Sequence, residues 1–192
     1  MPDIFNKIYT VCIMIRLEKF ERDNYADLIS WVDSEETLMQ IAGPTYNFPL
    51  TDEQLDISLS DKNRIAFIVI RNDTNLPIGH CEIYLSDNSA KLGRIIIGDK
   101  ELRGKGLGQQ IVQLLLEFIF SNLDKTVVEL NVFDWNTSAI KCYEKVGFII
   151  NPNKKLERII KDEVWIAINM IIDIEKWVEL QKNIQSNDKN EN

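Results

Sequence analysis

The residues best suited to holding an anion lie between Ile95 and Gly108, in the order Ile-Ile-Ile-Gly-Asp-Lys-Glu-Leu-Arg-Gly-Lys-Gly-Leu-Gly. Residues 95–97 read as the end of a buried strand. Gly104, Gly106 and Gly108 form a loop with little side chain, and residues 109–122 read as a helix. A strand, a glycine loop and a helix in that order aim several backbone N–H groups at one phosphate-bearing ligand. The first helical turn has free N–H groups, and the helix dipole adds partial positive charge there. Glycine takes positive φ and lets a ligand approach the backbone closely. Arg103 and Lys105 add full charges beside the loop.

Three loop patterns compete for this stretch. The Walker A pattern, G-x-x-x-x-G-K-(S/T), has no match in the sequence. The dinucleotide pattern, G-x-G-x-x-G, would need its third glycine one residue later. Glu129 falls about where that pattern places a ribose-binding acid. The third pattern, (R/Q)-x-x-G-x-(G/A), is matched by Arg103-Gly104-Lys105-Gly106-Leu107-Gly108.

Downstream, Asn136-Thr-Ser-Ala-Ile-Lys-Cys-Tyr-Glu-Lys-Val-Gly-Phe148 is similar to N-x-x-A-x-x-x-Y-x-x-x-G-F. The two matches, in this order and at this distance, resemble the GNAT superfamily of N-acetyltransferases over residues 14–172. Trp31, Gly43-Pro44 and Phe48-Pro49 look most like its RimJ/RimL-like branch, which includes acetyltransferases of protein N-termini.

The elements that must position these residues follow from periodicity. Residues 14–20 alternate apolar and charged side chains, as a half-exposed strand does. Asp23 is placed to cap a helix carrying Tyr25, Leu28, Ile29 and Val32. Gly43-Pro44 and Phe48-Pro49 break regular structure. Thr51-Asp-Glu-Gln54 has the pattern of a capping box. Residues 65–70, 78–85 and 91–97 read as an antiparallel meander, with Gly98 at its open end. Residues 126–132 form the next strand, which the intervening helix makes parallel to its predecessor through a right-handed crossover. Asn136 opens the following helix and Gly147 closes it. The final strands start at Phe148, a helix spans 173–185, and residues 186–192 read as disordered. The expected fold is α/β, a GNAT-like acyl-CoA N-acyltransferase fold. Its sheet is mixed and mostly antiparallel, with a parallel, splayed central strand pair and flanking helices.

The 192 residues fit one domain, with 45% apolar and 27% charged residues. The expected division is an extension over 1–13, the acetyltransferase domain over 14–173, and a C-terminal helix and tail over 174–192. Met14 looks like a natural start. The formal net charge of −8 argues against a nucleic-acid partner; a negative surface would attract a cationic acceptor such as an amine, but acidic solubility is the simpler explanation. Local positive charge near Arg103 and Lys105 must then hold an anionic ligand against that field. Cys12, Cys81 and Cys142 show no C-x-x-C spacing and read as reduced, cytoplasmic thiols. His80 is the single histidine, so no metal is expected. No apolar run suggests a membrane span or a secretory signal.

The resemblance implies acetyl transfer from acetyl-coenzyme A, the cosubstrate, directly to a primary amine. The amine is a protein N-terminus, a polyamine or a small amino compound, and the protein is a monomer or homodimer. Backbone N–H groups near Ile97 and Gly98 would polarise the thioester. Asn136 and Ala139 would line the pantetheine, with Tyr143 on the same helix face as general acid. A phenol of pKa about 10 can protonate a thiolate of conjugate pKa about 8.5 only slightly uphill. Glu82 is the candidate base, with Glu129, Asp134 and His80 behind it. Trp31, Tyr46 and Phe48 are candidates for the acceptor pocket. Cys142 should point away from the Tyr143 face, since successive helical residues are rotated by about 100°, and this argues against a cysteine nucleophile. Two other readings stay open, a coenzyme A-binding sensor without turnover and a nucleotide-binding module.

If residues 1–13 are an extension, a chain starting at Met14 should melt at the same temperature and bind coenzyme A as the full chain does. Thermal melts and calorimetry on the two chains test this. A large loss of melting temperature in the shorter chain would mean that the segment packs on the domain.

Overall fold

Alternation of apolar residues gives a strand β1 (Ile15–Lys19), followed by two short helices, α1 (Tyr25–Trp31) and α2 (Glu35–Ala42), and a third, α3 (Asp52–Leu59). A meander comes next, of β2 (Arg64–Arg71), β3 (Pro77–Leu85) and β4 (Ser89–Ile97). The chain then runs through α4 (Leu107–Asn122), β5 (Val127–Phe133), α5 (Thr137–Val146), β6 (Ile149–Ile160), β7 (Glu163–Asp173) and α6 (Ile174–Asp188). These elements come from a computed structural model that describes residues 14–160 and 163–188. The proposed extension, with Cys12, lies outside the described residues, as does the last part of the tail.

The strands form one sheet in the order β1-β2-β3-β4-β5-β7-β6. Among the described residues only β4 and β5 pair in parallel, and they do so from Ser89↔Val127 to Leu92↔Leu130. Beyond Leu92 the two strands part. This is the splayed central pair expected from the sequence, but its cause lies elsewhere than Gly98. At the parting point, Cys81 of β3 faces both Arg94 and Ile95 of β4, a β-bulge. Arg94 has φ of 51°, a left-handed conformation uncommon for a side chain of this size. The extra residue also switches the faces of β4. Ala90 and Leu92 pack into the core under α4, whereas Ile96 packs into the opposite core under α1–α3. Without the bulge, residues 90, 92 and 96 would share one face.

The bulge is held by a buried charge cluster. The carboxylate of Glu82 accepts from Arg64 Nη1 at 3.1 Å, from Arg94 Nη1, and lies 3.1 Å from His80 Nε2. All of these side chains are less than one-tenth exposed. Arg94 stacks 4.4 Å from the Tyr46 ring centroid and Arg64 lies 4.6 Å from that of Tyr84. Thus β2, β3 and β4 are tied together at the residue where β4 leaves β5.

Several local expectations need correction. The cap before α1 is the reciprocal pair Glu21 and Asn24, around a 3-10 turn, rather than Asp23. Thr51 caps α3 as expected, but Gln54 turns away from it. Its side chain instead bonds the loop at Asn47 N (2.8 Å) and at the carbonyls of Asn47 and Pro49 (3.0 Å each). The last helix continues past Gln185 to Asp188. Among the described residues no helix is long and apolar enough to cross a membrane.

Burial alone would raise the Glu82 carboxyl, but the His80 hydrogen bond and the charges of His80, Arg94 and Arg64 together hold it below its ordinary value. Its folded-state pKa therefore lies below the unfolded one. The resulting stabilisation is fully present above about pH 4.3, the unfolded value, and is lost as pH falls through the folded value. Glu82→Gln keeps the shape and leaves two buried guanidinium groups without their counter-ion. It should cost about 3–5 kcal/mol. Denaturant melts from pH 7 to pH 3 should show this loss at neutral pH and a shallower acid dependence in the variant.

Candidate active site

After Ile97 the chain makes a 3-10 turn at Lys100–Leu102, capped by the Asp99 carboxylate on Glu101 N at 2.8 Å. Gly104 and Gly106 then take φ of 74° and 82°. A Cβ at either would meet no atom within 4 Å, so this backbone lies open. Gly106 is the residue that starts α4, and its carbonyl takes the N–H groups of Gln109 (3.1 Å) and Gln110 (3.2 Å). The amides of Leu107 and Gly108 precede that first bond and have no intrahelical acceptor. Gly106 and Gly108, on either side of Leu107, line a cleft of about 440 Å³ between the loop and α5.

The cleft brings together most of the residues singled out from sequence. Arg103, Gly104, Gly106 and Gly108 form one wall, and Asn136, Ala139 and Tyr143 the other. Lys105 is exposed and is not part of the wall, and Leu107 is buried in the core and does not line the cleft either. Positive charge comes instead from Lys141 and Lys145. Sequence reasoning passed over these two, although their i,i+4 spacing sets them on one face of α5.

Backbone direction separates Ile97 from Gly98. The Gly98 N–H donates to Ile78 O at 2.9 Å and so belongs to the sheet. It is not free to polarise a thioester, contrary to the sequence expectation. A Cβ on Gly98 would lie 2.3 Å from the Trp31 indole, so the glycine is required by that close contact. Strand residues send successive N–H groups to opposite edges. Ile97 therefore faces the splayed side, where its carbonyl accepts from Arg103 Nε at 2.9 Å.

Asn136 caps α5, its Oδ1 accepting from Ala139 N at 3.3 Å and Ser138 Oγ at 3.0 Å. Tyr143 sits two turns on, its ring packed 6.1 Å from Phe148, and burial pushes its phenol above the ordinary value. Cys142 lines the same cleft, so the expected separation of faces does not hold. The cleft is broad enough to take residues 100° apart. Cys142 still makes a poor nucleophile. Its Sγ lies 3.3 Å from where a Gly108 Cβ would be, and burial raises its thiol, an effect that Lys145 only partly offsets.

The gap between β4 and β5 contains a smaller cavity of about 100 Å³, lined by Gly93, Arg94, Asn131, Phe133, Asn136 and Tyr143. It shares Asn136, Ala139 and Tyr143 with the first cleft. It shares Gly93, Arg94, Asn131 and Phe133 with a second cleft of about 410 Å³. That second cleft is walled by the end of α2 and by β2, β4 and β6. The aromatic residues expected there are elsewhere. Trp31 covers Gly98, Tyr46 lies under Arg94, and Phe48 is 45% exposed outside the cleft.

Glu82 touches neither cleft, and its oxygens are taken by Arg64, Arg94 and His80. His80 is fully buried beside it, with its ring 4.4 Å from that of Phe20. Glu129 bonds Lys154 Nζ at 2.7 Å and Asn169 Nδ2 at 3.1 Å. Asp134 is exposed beyond the end of β5.

This arrangement matches known proteins. Residues 15–149 fit the model of the acetyltransferase (GNAT) domain. The chain is 25% identical over 142 residues to aminoglycoside N(6')-acetyltransferase type 1 of Klebsiella pneumoniae, covering 67% of this chain and 66% of that one. It is 28% identical over 99 residues to the SPbeta prophage-derived uncharacterized N-acetyltransferase YokL of Bacillus subtilis, covering 51% and 52%. The alignments thus span no more than about two thirds of these relatives' own length. The fold superposes on spermidine N-acetyltransferase from Vibrio cholerae, solved with coenzyme A and spermine. The TM-score is 0.71 at 22% identity, with 86% of this chain and 98% of that one covered. With the family model matched from the first strand to the start of β6, the chain belongs to the GNAT acetyltransferase family.

Proposed function

We propose that this protein moves acetyl from acetyl-coenzyme A directly to a primary amine. One observation carries the reading, the cavity between β4 and β5 that shares lining residues with both clefts, Tyr143 with the first and Arg94 with the second. A sensor would need the first cleft alone, so the second favours turnover.

The first cleft suits coenzyme A. Open, positive-φ glycines allow phosphate to approach, and the amides of Leu107 and Gly108 with Arg103, Lys141 and Lys145 offset its charge. Bound there, acetyl-coenzyme A supplies an activated acyl group. The Ile97 amide, on the splayed edge, donates to the thioester carbonyl. Asn136 and Ala139 line the pantetheine arm. The amine enters from the second cleft and attacks as the C–S bond breaks and the C–N bond forms. Its proton leaves to water, because the carboxylate of Glu82 is already bonded. The Tyr143 hydroxyl gives its proton to the thiolate and takes one back from water to complete the cycle. A raised phenol pKa makes this more uphill, yet keeps the proton in place at every working pH.

The likeness of Trp31, Gly43-Pro44 and Phe48-Pro49 to RimJ/RimL-like enzymes supports a protein N-terminus among the acceptors, and the relatives named for aminoglycosides and spermidine support small amines. The free Cys81 and Cys142 thiols support a cytoplasmic setting. We place the acetyltransferase domain at residues 14–173.

Gly106→Val should weaken coenzyme A binding at least tenfold. A β-branched residue is strained at φ of 82°, and its side chain fills space in front of the first-turn amides. Calorimetry on both proteins measures this. Wild-type protein that binds neither acetyl-coenzyme A nor coenzyme A would overturn the assignment.

Tyr143→Phe removes only the hydroxyl. It should keep coenzyme A affinity and lower the rate of thiol release about a hundredfold, the low end for a general acid, because thiolate leaves readily. The rise of rate with pH, which reports deprotonation of the amine, should persist in both proteins. Unchanged turnover in the Phe variant, with chemistry limiting the rate, would hand the proton's role to water.

A further inference from the structure

The walls of the second cleft carry Arg64, Lys91, Arg94 and Arg158. Among the described residues lining it there is no Asp or Glu. Among the described residues, Glu82 and Glu129 stand behind the wall, and both are committed. Glu82 is shared between Arg64 and Arg94, and Glu129 is bonded to Lys154 at 2.7 Å and to Asn169. The cleft therefore keeps an excess of positive charge inside a protein whose net charge is −8. Arg64 Nε and Arg94 Nε are buried and have no hydrogen-bond partner among the described residues. Burial is the main cause that lowers the Lys91 ammonium, with Glu129 opposing it and Lys154 and Arg158 adding to it. Lys91 Nζ lies 2.9 Å from the Asn131 side-chain amide, a neutral partner.

A polycation has little to hold it here. Spermine and aminoglycosides bring several ammonium groups, each of which would need a carboxylate or would meet like charge. Charges lining a low-dielectric cleft outweigh those more than about one Debye length away, roughly 10 Å at moderate salt. The distant acidic surface therefore does not reverse the sign at the wall.

We propose that the acceptor is a primary amine that also bears an anionic group, a carboxylate or a phosphate, received by Lys91, Arg158 and Arg64. This rests on the reading of the second cleft as the acceptor site. Gly93 and Arg94 line both that cleft and the junction with the first, whereas Arg64, Lys91 and Arg158 line the second cleft alone. A substrate with its nitrogen at the junction thus has its anionic end against these three cations. Guanidinium groups suit such an end because they pair bidentately with planar carboxylate or with phosphate oxygens.

The test is a thiol-release assay with acetyl-coenzyme A on the full chain. β-Alanine and glutamate represent amino carboxylates, O-phosphoethanolamine an amino phosphate, and spermidine and kanamycin the polycations. Wild type should favour at least one anionic class over both polycations by tenfold or more in kcat/KM, and the preferred class identifies the anion. Lys91→Glu/Arg158→Glu should raise KM for that amine at least tenfold and invert the preference toward spermidine, with coenzyme A affinity as a check on the fold. A wild-type preference for polycations, or an unchanged preference in the double variant, overturns the proposal and leaves the acetyltransferase reading standing. If no amine releases thiol although coenzyme A binds, the activity reading fails instead. The cleft is then judged by calorimetry of the same amines on coenzyme A-saturated protein, where absence of selective anionic-amine binding overturns it.

Discussion

The structure depends on where β4 stops pairing with β5. Backbone hydrogen bonds favour continued pairing, since a strand edge left open inside a fold exposes unsatisfied N–H and C=O groups. Something must make the separation worth more than the lost bonds. That something is the Glu82 cluster. It draws Arg94 across toward β3 and β2, forces a left-handed residue into β4, and bends the strand away after Leu92. A non-glycine residue at positive φ costs of order 1–3 kcal/mol, and such strain persists only where surrounding contacts over-determine it. Here an ion pair, a shared carboxylate and stacking on Tyr46 and Tyr84 do so. The opening holds a small cavity that shares lining residues with both clefts, and it is the passage that the proposed reaction uses.

The two sides of that passage are built from different material. The proposed cofactor side is mostly backbone, from the glycine loop, the first turn of α4 and the splayed edge at Ile97, with side chains from α5. Backbone amides bind phosphate without regard to most side chains, so this side is set by conformation. The proposed acceptor side is mostly side chain, drawn from strands β2 to β7 and the end of α2. Its chemistry can vary while the fold stays fixed, which is how one architecture serves many amines. Global charge therefore says little about the acceptor.

Legibility in the sequence divides along the same line. The glycine loop, the Asn136 cap and the left-handed Gly147 were readable because each is a local backbone demand met by a residue type at a fixed spacing. The strands and the long helix were readable from periodicity. Glu82 was noticed, but its partners were not, because Arg64 and Arg94 reach it through strand register that no local pattern encodes. The bulge was invisible for the same reason. Arginine is not a residue that advertises positive φ, and Gly98 stood nearby as a more plausible site. The glycine answers a steric demand from Trp31 instead, a contact between elements far apart in sequence. Cys142 was misplaced because rotation about a helix axis fixes direction but not the width of the cleft it faces.

The Glu82 cluster also couples stability to recognition. Arg64 and Arg94 belong both to the buried network and to the wall of the second cleft. Their charge cannot be changed to suit another acceptor without unpairing Glu82 and releasing the bulge, and with it the opening between the strands. Lys91 and Arg158 carry no such duty, since neither is bonded to Glu82. The wall thus has a fixed part, which keeps the cleft positive as a condition of the fold, and an adjustable part, which tunes what the cleft holds. A relative with the same bulge and cluster but acidic residues in place of Lys91 and Arg158 would keep the passage and reverse the selection, since the committed guanidinium groups are already partly neutralised by Glu82. Changes of acceptor within this fold should therefore concentrate at the outer positions of β4 and β6 and spare the residues where β4 departs from β5.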